Sequence, residues 1–137
     1  MHGVEIIFDG DKDEFLNKTN VVYELSNSLL FKYVGNVGEG KNKTYTIGKR
    51  LNSHAYKISI GSEEDIYKNG LGKTRRIYAR IIKQCNNPQE TRLCEHNTII
   101  STRMRIAKSR GYEISYDEAR KGKNSYLWDD ILLNVLT

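Results

Sequence analysis

The 137-residue sequence predicts a small α+β domain with a three-stranded, mainly antiparallel sheet flanked by helices. Two runs rich in β-branched and aromatic residues, 21–25 and 29–35, are separated only by three polar residues and therefore predict a β-hairpin. Residues 75–83 alternate between apolar and polar side chains and predict a third strand. The segments between and after these runs have helical patterns.

The helices are predicted from their end signals. Residues 44–56 can be helical despite a central glycine, and Ser62 is suited to cap a short helix that stops at Gly70 or Gly72. Pro88 lies near the first turn of a longer helix that Gly111 stops. On that helix we predict an apolar stripe formed by Leu93, Asn97, Ile100, Met104 and Ala107.

Both ends of the chain have weaker patterns. Residues 3–8 predict a short strand, and Asp11 or Asp13 is suited to cap the turn that follows. In the C-terminal extension, 112–137, Ser115 predicts the start of a short helix. Residues 127–136 predict a last amphipathic helix that packs on the domain or on a second subunit, which would make a homodimer through this helix.

The composition describes one globular domain, 1–137, with an excess of positive charge. Its 22 basic and 17 acidic residues give a formal net charge of +5, which suits a polyanionic partner without requiring one. Cys85 and Cys94 form neither a disulfide framework nor a zinc motif. The sequence has no membrane-spanning run and no signal peptide, so we expect no membrane partner and a cytoplasmic location.

Two binding motifs are excluded by single residues. A calcium loop beginning in the acidic stretch after residue 8 would need glutamate at Asn20, and a phosphate loop around 70–74 would need glycine at Tyr67.

Four short patterns follow one another in an order that is seldom met by chance. Tyr23 lies in the first hairpin strand, and Tyr33 begins a Tyr-Val-Gly run in the second. Arg50 and His54 lie four residues apart and would share a helix face. Glu95 lies in the long helix, in the run Leu-Cys-Glu-His-Asn.

Over residues 20–106 these patterns resemble the core of the GIY-YIG nuclease family. The resemblance implies a magnesium-dependent (or manganese-dependent) DNA endonuclease, of the restriction type or encoded by a phage. The gap between Gly35 and Arg50 is longer than in homing endonucleases. Residues 107–113 lack the asparagine that many members carry after the glutamate helix.

The resemblance also implies a role for each of the five residues. Glu95 would be the ligand of Mg²⁺ or Mn²⁺, and Arg50 would bind the phosphate as negative charge develops on it. Tyr23 would be the general base, His54 would accept or relay its proton, and Tyr33 would orient the water or the phosphate. A free tyrosine titrates near 10, so the pKa of Tyr23 would have to fall by about three units, or roughly 4 kcal/mol.

Basic residues near the hairpin and third strand are candidates for binding the backbone of double-stranded DNA, although a solvated basic edge explains the three arginines among them equally well. They are Lys32, Lys41, Lys43, Lys49, Arg75, Arg76 and Arg80. Three alternatives to a restriction-type nuclease stay open: a non-catalytic nucleic-acid-binding module, a structure-specific repair nuclease of the same fold, and a basic subunit of a larger assembly.

Overall fold

A computed structural model of the chain describes residues 1–38 and 45–134. Four strands and five helices, with short 3-10 turns at Leu71–Lys73 and Ser125–Leu127, make an α+β fold. In chain order they are β1 (Glu5–Ile7), α1 (Lys12–Leu16), β2 (Val21–Ser26), β3 (Lys32–Val37), α2 (Ile47–Ser59), α3 (Asp65–Lys68), β4 (Arg76–Gln84), α4 (Pro88–Ser109) and α5 (Tyr116–Lys121).

The sheet has four strands in the order β1-β4-β2-β3 and is mixed, so the prediction of three mainly antiparallel strands is wrong in number. The predicted hairpin is confirmed, because β2 pairs antiparallel with β3, and β4 adds antiparallel to the other side of β2. The extra strand is β1, which pairs parallel with β4 through Glu5 and Arg76. It satisfies backbone groups that would otherwise form an open edge of β4.

Alternation along the strands builds one core on each face of the sheet. Val21, Tyr23 and Leu25 face α2 and belong to the larger core, whereas Val22 and Val34 face α4. The hairpin thus contributes side chains to both layers, and the two long helices lie on opposite faces.

The helix boundaries follow most of the predicted end signals. Pro88 begins α4. Ser115 caps α5, because its side chain accepts a hydrogen bond from Glu118 N, and Asp11 caps α1 by accepting from Glu14 N. The predicted start at Ser62 is wrong, because its hydroxyl accepts from Glu64 N in a turn and α3 begins only at Asp65. Helix α2 begins after Thr46 and continues to Ser59, beyond the predicted end.

The buried face of α4 differs from the predicted stripe. Leu93 is 62% exposed and Asn97 is also exposed, whereas Arg103 is buried at 5%. The reason is a second contact: the guanidinium of Arg103 lies 5.2 Å from the ring centre of Trp128, so α4 is covered by the C-terminal segment as well as by the sheet.

The predicted helix over 127–136 is wrong in its described part. After one 3-10 turn the chain continues in hydrogen-bonded turns to Ile131, and Leu132 then forms an isolated parallel bridge with Lys32 at the start of β3. In that bridge Lys32 N donates to Ile131 O at 2.9 Å and Leu133 N donates to Lys32 O at 2.8 Å. Trp128 and Leu132 are buried against the domain itself, so the helix proposed to carry a homodimer is not formed. Among residues 1–38 and 45–134, no helix has the length and apolar character to cross a membrane.

Candidate active site

The centre of the candidate site is a hydrogen bond between Tyr23 and His54. Tyr23 lies in the middle of β2 and is 1% exposed, and its hydroxyl oxygen is 2.9 Å from Nε2 of His54 on α2. Gly35 is the residue of β3 opposite Tyr23, and a Cβ added there would lie 2.5 Å from the phenol oxygen. The absence of a side chain at Gly35 therefore lets the phenol extend across β3 toward the sheet edge.

The other nitrogen of His54 also meets a phenol. Nδ1 lies 2.8 Å from the hydroxyl oxygen of Tyr67, a buried residue of α3. Burial first, and then the positive charge of Arg50, lower the pKa of His54 to about 4, so the imidazole is neutral at pH 7. Tyr67 could not be identified from the sequence, because no local pattern indicates a contact between residues 13 apart on two helices.

Tyr33 and Arg50 complete this side of the site. The Tyr33 ring lies 5.5 Å from that of His54, and burial followed by the charge of Glu95 raises the pKa of Tyr33. The guanidinium carbon of Arg50 lies 5.0 Å from the Tyr45 ring centre, and its buried Nε has no hydrogen-bond partner among the described residues. Arg50 is thus oriented by stacking and keeps donor capacity unused.

The pKa of Tyr23 moves in the direction opposite to the one expected for a general base. Burial, followed by the neighbouring Tyr33, raises the pKa of Tyr23 well above its usual value of 10, and Arg50 only partly opposes this. The protein groups around Tyr23 therefore do not by themselves supply the fall of about three units expected for a tyrosine general base. Tyr23 keeps its proton at neutral pH and can lose it only to a base in direct contact, which is His54.

Glu95 approaches from the other face of the sheet. It lies in α4, is half-buried, and accepts a hydrogen bond from the side-chain amide of Asn36, the residue that follows Gly35 in β3. The negative charge of Glu95 raises the pKa of both Tyr23 and Tyr33, so the carboxylate is within electrostatic reach of the two phenols. The two halves of the site meet at the edge strand, where Gly35 and Asn36 lie.

Asn36 is a site residue that the sequence analysis did not identify. Strand alternation after Tyr33 places Asn36 on the opposite face from Tyr33, which is the face covered by α4 and Glu95. Alternation is thus the sequence signal that could have identified Asn36. The amide orients Glu95 in a chain that lacks an asparagine within 107–113.

A metal site built on Glu95 would contain one protein carboxylate. Within residues 1–38 and 45–134, no cluster of three or more His, Cys, Asp or Glu side chains could hold a metal. A zinc-type site needs several ligating side chains, and this part of the chain does not bring them together. A single carboxylate such as Glu95 suits Mg²⁺, which keeps most of its ligands as water and substrate oxygens.

The candidate DNA-binding residues are dispersed, and several are paired. The buried carboxylate of Glu24 lies 3.6 Å from Lys32, 3.4 Å from Arg80 and 3.8 Å from Arg105, all on the α4 side of the sheet. Arg76 pairs with Glu5 at 3.3 Å. Lys49 and Arg75 are exposed, and Lys41 and Lys43 lie outside the described residues.

The chain matches no protein-family model, no curated protein and no solved structure. The similarity to GIY-YIG nucleases thus stays a prediction from the residues of this chain.

Proposed function

We propose that the protein is a metal-dependent endonuclease, similar to the GIY-YIG nucleases, that hydrolyses phosphodiester bonds in double-stranded DNA. The observation that carries the proposal is the buried hydrogen bond between Tyr23 and a neutral His54, which lies one helical turn from Arg50. Tyr23 also lies within the electrostatic field of Glu95. A phenol, an uncharged base, a cation and a carboxylate are the groups that such a hydrolysis requires.

Tyr23 and His54 would act together as the general base. The attacking water gives a proton to the phenol oxygen of Tyr23 while the phenol proton moves to Nε2 of His54, 2.9 Å away. A hydroxide-like nucleophile and an imidazolium result, and the number of protons is conserved. Because the pKa of His54 is about 4, the imidazole is neutral at pH 7 and has a lone pair on one ring nitrogen, which this step requires at Nε2. Charge developing on the phosphate would stabilise the imidazolium.

Arg50 and Glu95 would bind the reacting phosphate from two sides. The guanidinium, oriented by Tyr45, would donate to non-bridging oxygens. Glu95, oriented by Asn36, would hold Mg²⁺ or Mn²⁺. When bound, the ion supplies positive charge against the non-bridging oxygens. Tyr33 would orient the water.

A nucleic-acid-binding module without turnover is the second candidate, and the raised pKa of Tyr23 is the observation that favours it. Incubating supercoiled plasmid with the protein in Mg²⁺, in Mn²⁺ and in EDTA separates the two. The key variant is Glu95→Gln, which keeps the size of the side chain and removes its charge. The matched control is Glu113→Gln, at an exposed position beyond α4.

We expect nicked and linear products only with metal, loss of cleavage in Glu95→Gln, and full cleavage in Glu113→Gln. Cleavage that survives Glu95→Gln would exclude Glu95 as the metal ligand. Salt-sensitive binding of duplex DNA without cleavage under both metals would support the binding module instead.

A further inference from the structure

His54 has a phenol hydroxyl at each ring nitrogen. Tyr23 lies 2.9 Å from Nε2 and Tyr67 lies 2.8 Å from Nδ1. Their exposed fractions are 1% for Tyr23, 6% for His54 and 6% for Tyr67, so the three side chains form a hydrogen-bonded chain shielded from bulk water. The function proposed for Tyr23 and His54 leaves Tyr67 without a role.

A neutral imidazole carries its single ring proton on one nitrogen, which donates, and has a lone pair on the other, which accepts. A phenol hydroxyl can do either, so two arrangements fit the same distances. In the first, Nδ1–H donates to Tyr67 and Nε2 accepts from Tyr23. In the second, Nε2–H donates to Tyr23 and Tyr67 donates to Nδ1. Only the first arrangement leaves His54 able to take a proton from Tyr23.

We propose that Tyr67 is a positioning residue whose hydroxyl accepts a hydrogen bond from Nδ1–H of His54, holding the imidazole in the tautomer whose Nε2 accepts the proton of Tyr23. The inference rests on the proposed nuclease function, because that function requires an acceptor at Nε2. The hydrogen bond made by one ring nitrogen determines the protonation of the other.

The position of Tyr67 is fixed by the backbone around it. It lies in the single turn of α3, and the chain then passes so close that a Cβ on Gly72 would lie 2.5 Å from the carbonyl oxygen of Tyr67. Tight packing of this kind keeps the hydroxyl within hydrogen-bond distance of His54, which a residue on a mobile loop would not do.

A phenol at Nδ1 has a different effect from a carboxylate. An aspartate or glutamate there would stabilise the imidazolium and raise the pKa of His54. Burial raises the pKa of Tyr67 to about 12, so it remains an uncharged hydroxyl and leaves the pKa of His54 near 4. Tyr67 thus orients the ring without charging it. The titratable and charged groups that act on the imidazole are Tyr23, Tyr33, Tyr67, Arg50 and Glu64.

The tautomer can be measured directly by ¹⁵N NMR of the imidazole at pH 7, with His54 assigned by its absence in His54→Asn. We expect a protonated Nδ1 and an unprotonated Nε2 in the wild-type protein. In Tyr67→Phe, which removes only the hydroxyl, the signals should shift toward the other tautomer. Tyr56→Phe is the control, because Tyr56 lies on α2 like His54 but is 48% exposed. A wild-type proton on Nε2, or an unchanged tautomer in Tyr67→Phe, overturns the inference.

Kinetics provide the second measurement. Tyr67→Phe should lower kcat for plasmid cleavage by about 10- to 100-fold with KM within about twofold, since the hydroxyl positions a base without touching DNA. Tyr56→Phe should leave both unchanged. An unchanged kcat in Tyr67→Phe overturns the inference. If the wild-type protein cleaves no DNA, the proposed function fails, while the NMR spectrum still decides whether Tyr67 holds His54 in the stated tautomer.

Discussion

The hydroxyl of Tyr23 occupies the space in which any other residue at Gly35 would place its Cβ, with 2.5 Å between the two positions. The pair lies directly opposite in the β2–β3 ladder. The phenol of Tyr23 can therefore take this position only because the residue opposite it, at the end of the Tyr-Val-Gly run, is a glycine. The glycine is needed for space rather than for a left-handed backbone, because the φ of Gly35 is not positive.

Gly35→Ala should displace the Tyr23 ring and break its hydrogen bond to His54. Overpacking of this kind destabilises proteins by about 1–3 kcal/mol, and we expect a loss in that range. Urea denaturation of the variant and the wild-type protein, followed by the fluorescence of the single Trp128, measures it.

The matched control is a double-mutant cycle with Tyr23→Leu, which removes the ring. In that background Gly35→Ala should cost almost nothing or stabilise slightly, because alanine loses less backbone entropy in a strand. An equal loss in both backgrounds would contradict the steric explanation.

Acid should destabilise the fold through His54. The pKa of His54 is about 4 in the folded chain, mainly because of burial, against an ordinary value of 6.5. Between these values the unfolded chain binds a proton that the folded chain does not. The stabilisation is thus complete above pH 6.5 and is lost as the pH falls toward 4.

The expected loss between pH 7.5 and pH 5 is about 2 kcal/mol in the free energy of unfolding. Denaturation at both pH values measures it. His54→Gln is the comparison, because it has no titrating ring and shares every other group. If the variant loses as much stability as the wild-type protein, His54 is not the cause.

Asn134 protects the open edge of β3. Its side-chain oxygen accepts from Val34 N and its amide donates to Val34 O, both at 2.7 Å, so the side chain imitates a neighbouring strand. Asn134→Ala should lower the free energy of unfolding by about 1–3 kcal/mol, the contribution of two hydrogen bonds. Asn134→Asp should be no better, because a carboxylate cannot donate to Val34 O. Exposed Asn86 is the control, and Asn86→Ala should change stability by less than about 0.5 kcal/mol.

Elements defined by local patterns could be predicted from the sequence. The hairpin, β4 and the start of α4 depend on strand composition, alternation and Pro88, all of which lie within a few residues of the structure they specify. The resemblance implied that Tyr23, Tyr33, Arg50, His54 and Glu95 form one site. In the structure the rings of Tyr23 and Tyr33 lie beside His54, while Glu95 acts on the two phenols from the other face of the sheet.

Features that depend on distant partners could not be predicted in the same way. The parallel pairing of β1 joins Glu5 to Arg76, and the C-terminal segment is held by Lys32, about a hundred residues earlier. The apolar residues around Leu132 have a helical pattern, but Leu132 forms a bridge with the backbone of Lys32 instead of continuing a helix. Tyr67 was missed because only the packing of α3 beside α2 brings it to His54.

Asn36 should determine how strongly Glu95 binds a metal ion. The amide of Asn36 is 7% exposed and donates to a carboxylate oxygen of Glu95, which orients the carboxylate and stabilises its charged form. Loss of a partner that orients a metal ligand typically weakens metal affinity 10- to 100-fold. In Asn36→Ala we therefore expect the Mg²⁺ concentration for half-maximal plasmid cleavage to rise by about that factor, with little change in rate at saturating Mg²⁺.

Asn36→Asp tests the same relationship, because it should strengthen metal binding where Asn36→Ala weakens it. Two adjacent carboxylates repel each other without metal but bind Mg²⁺ jointly, so the half-maximal concentration should fall. Asn17→Ala, at an exposed position at the end of α1, should leave the half-maximal Mg²⁺ concentration unchanged. Titration calorimetry with Mn²⁺ gives the affinities without DNA. Equal metal affinities in the wild-type protein, Asn36→Ala and Asn36→Asp would show that Glu95 binds no metal in this arrangement or that Asn36 does not orient it.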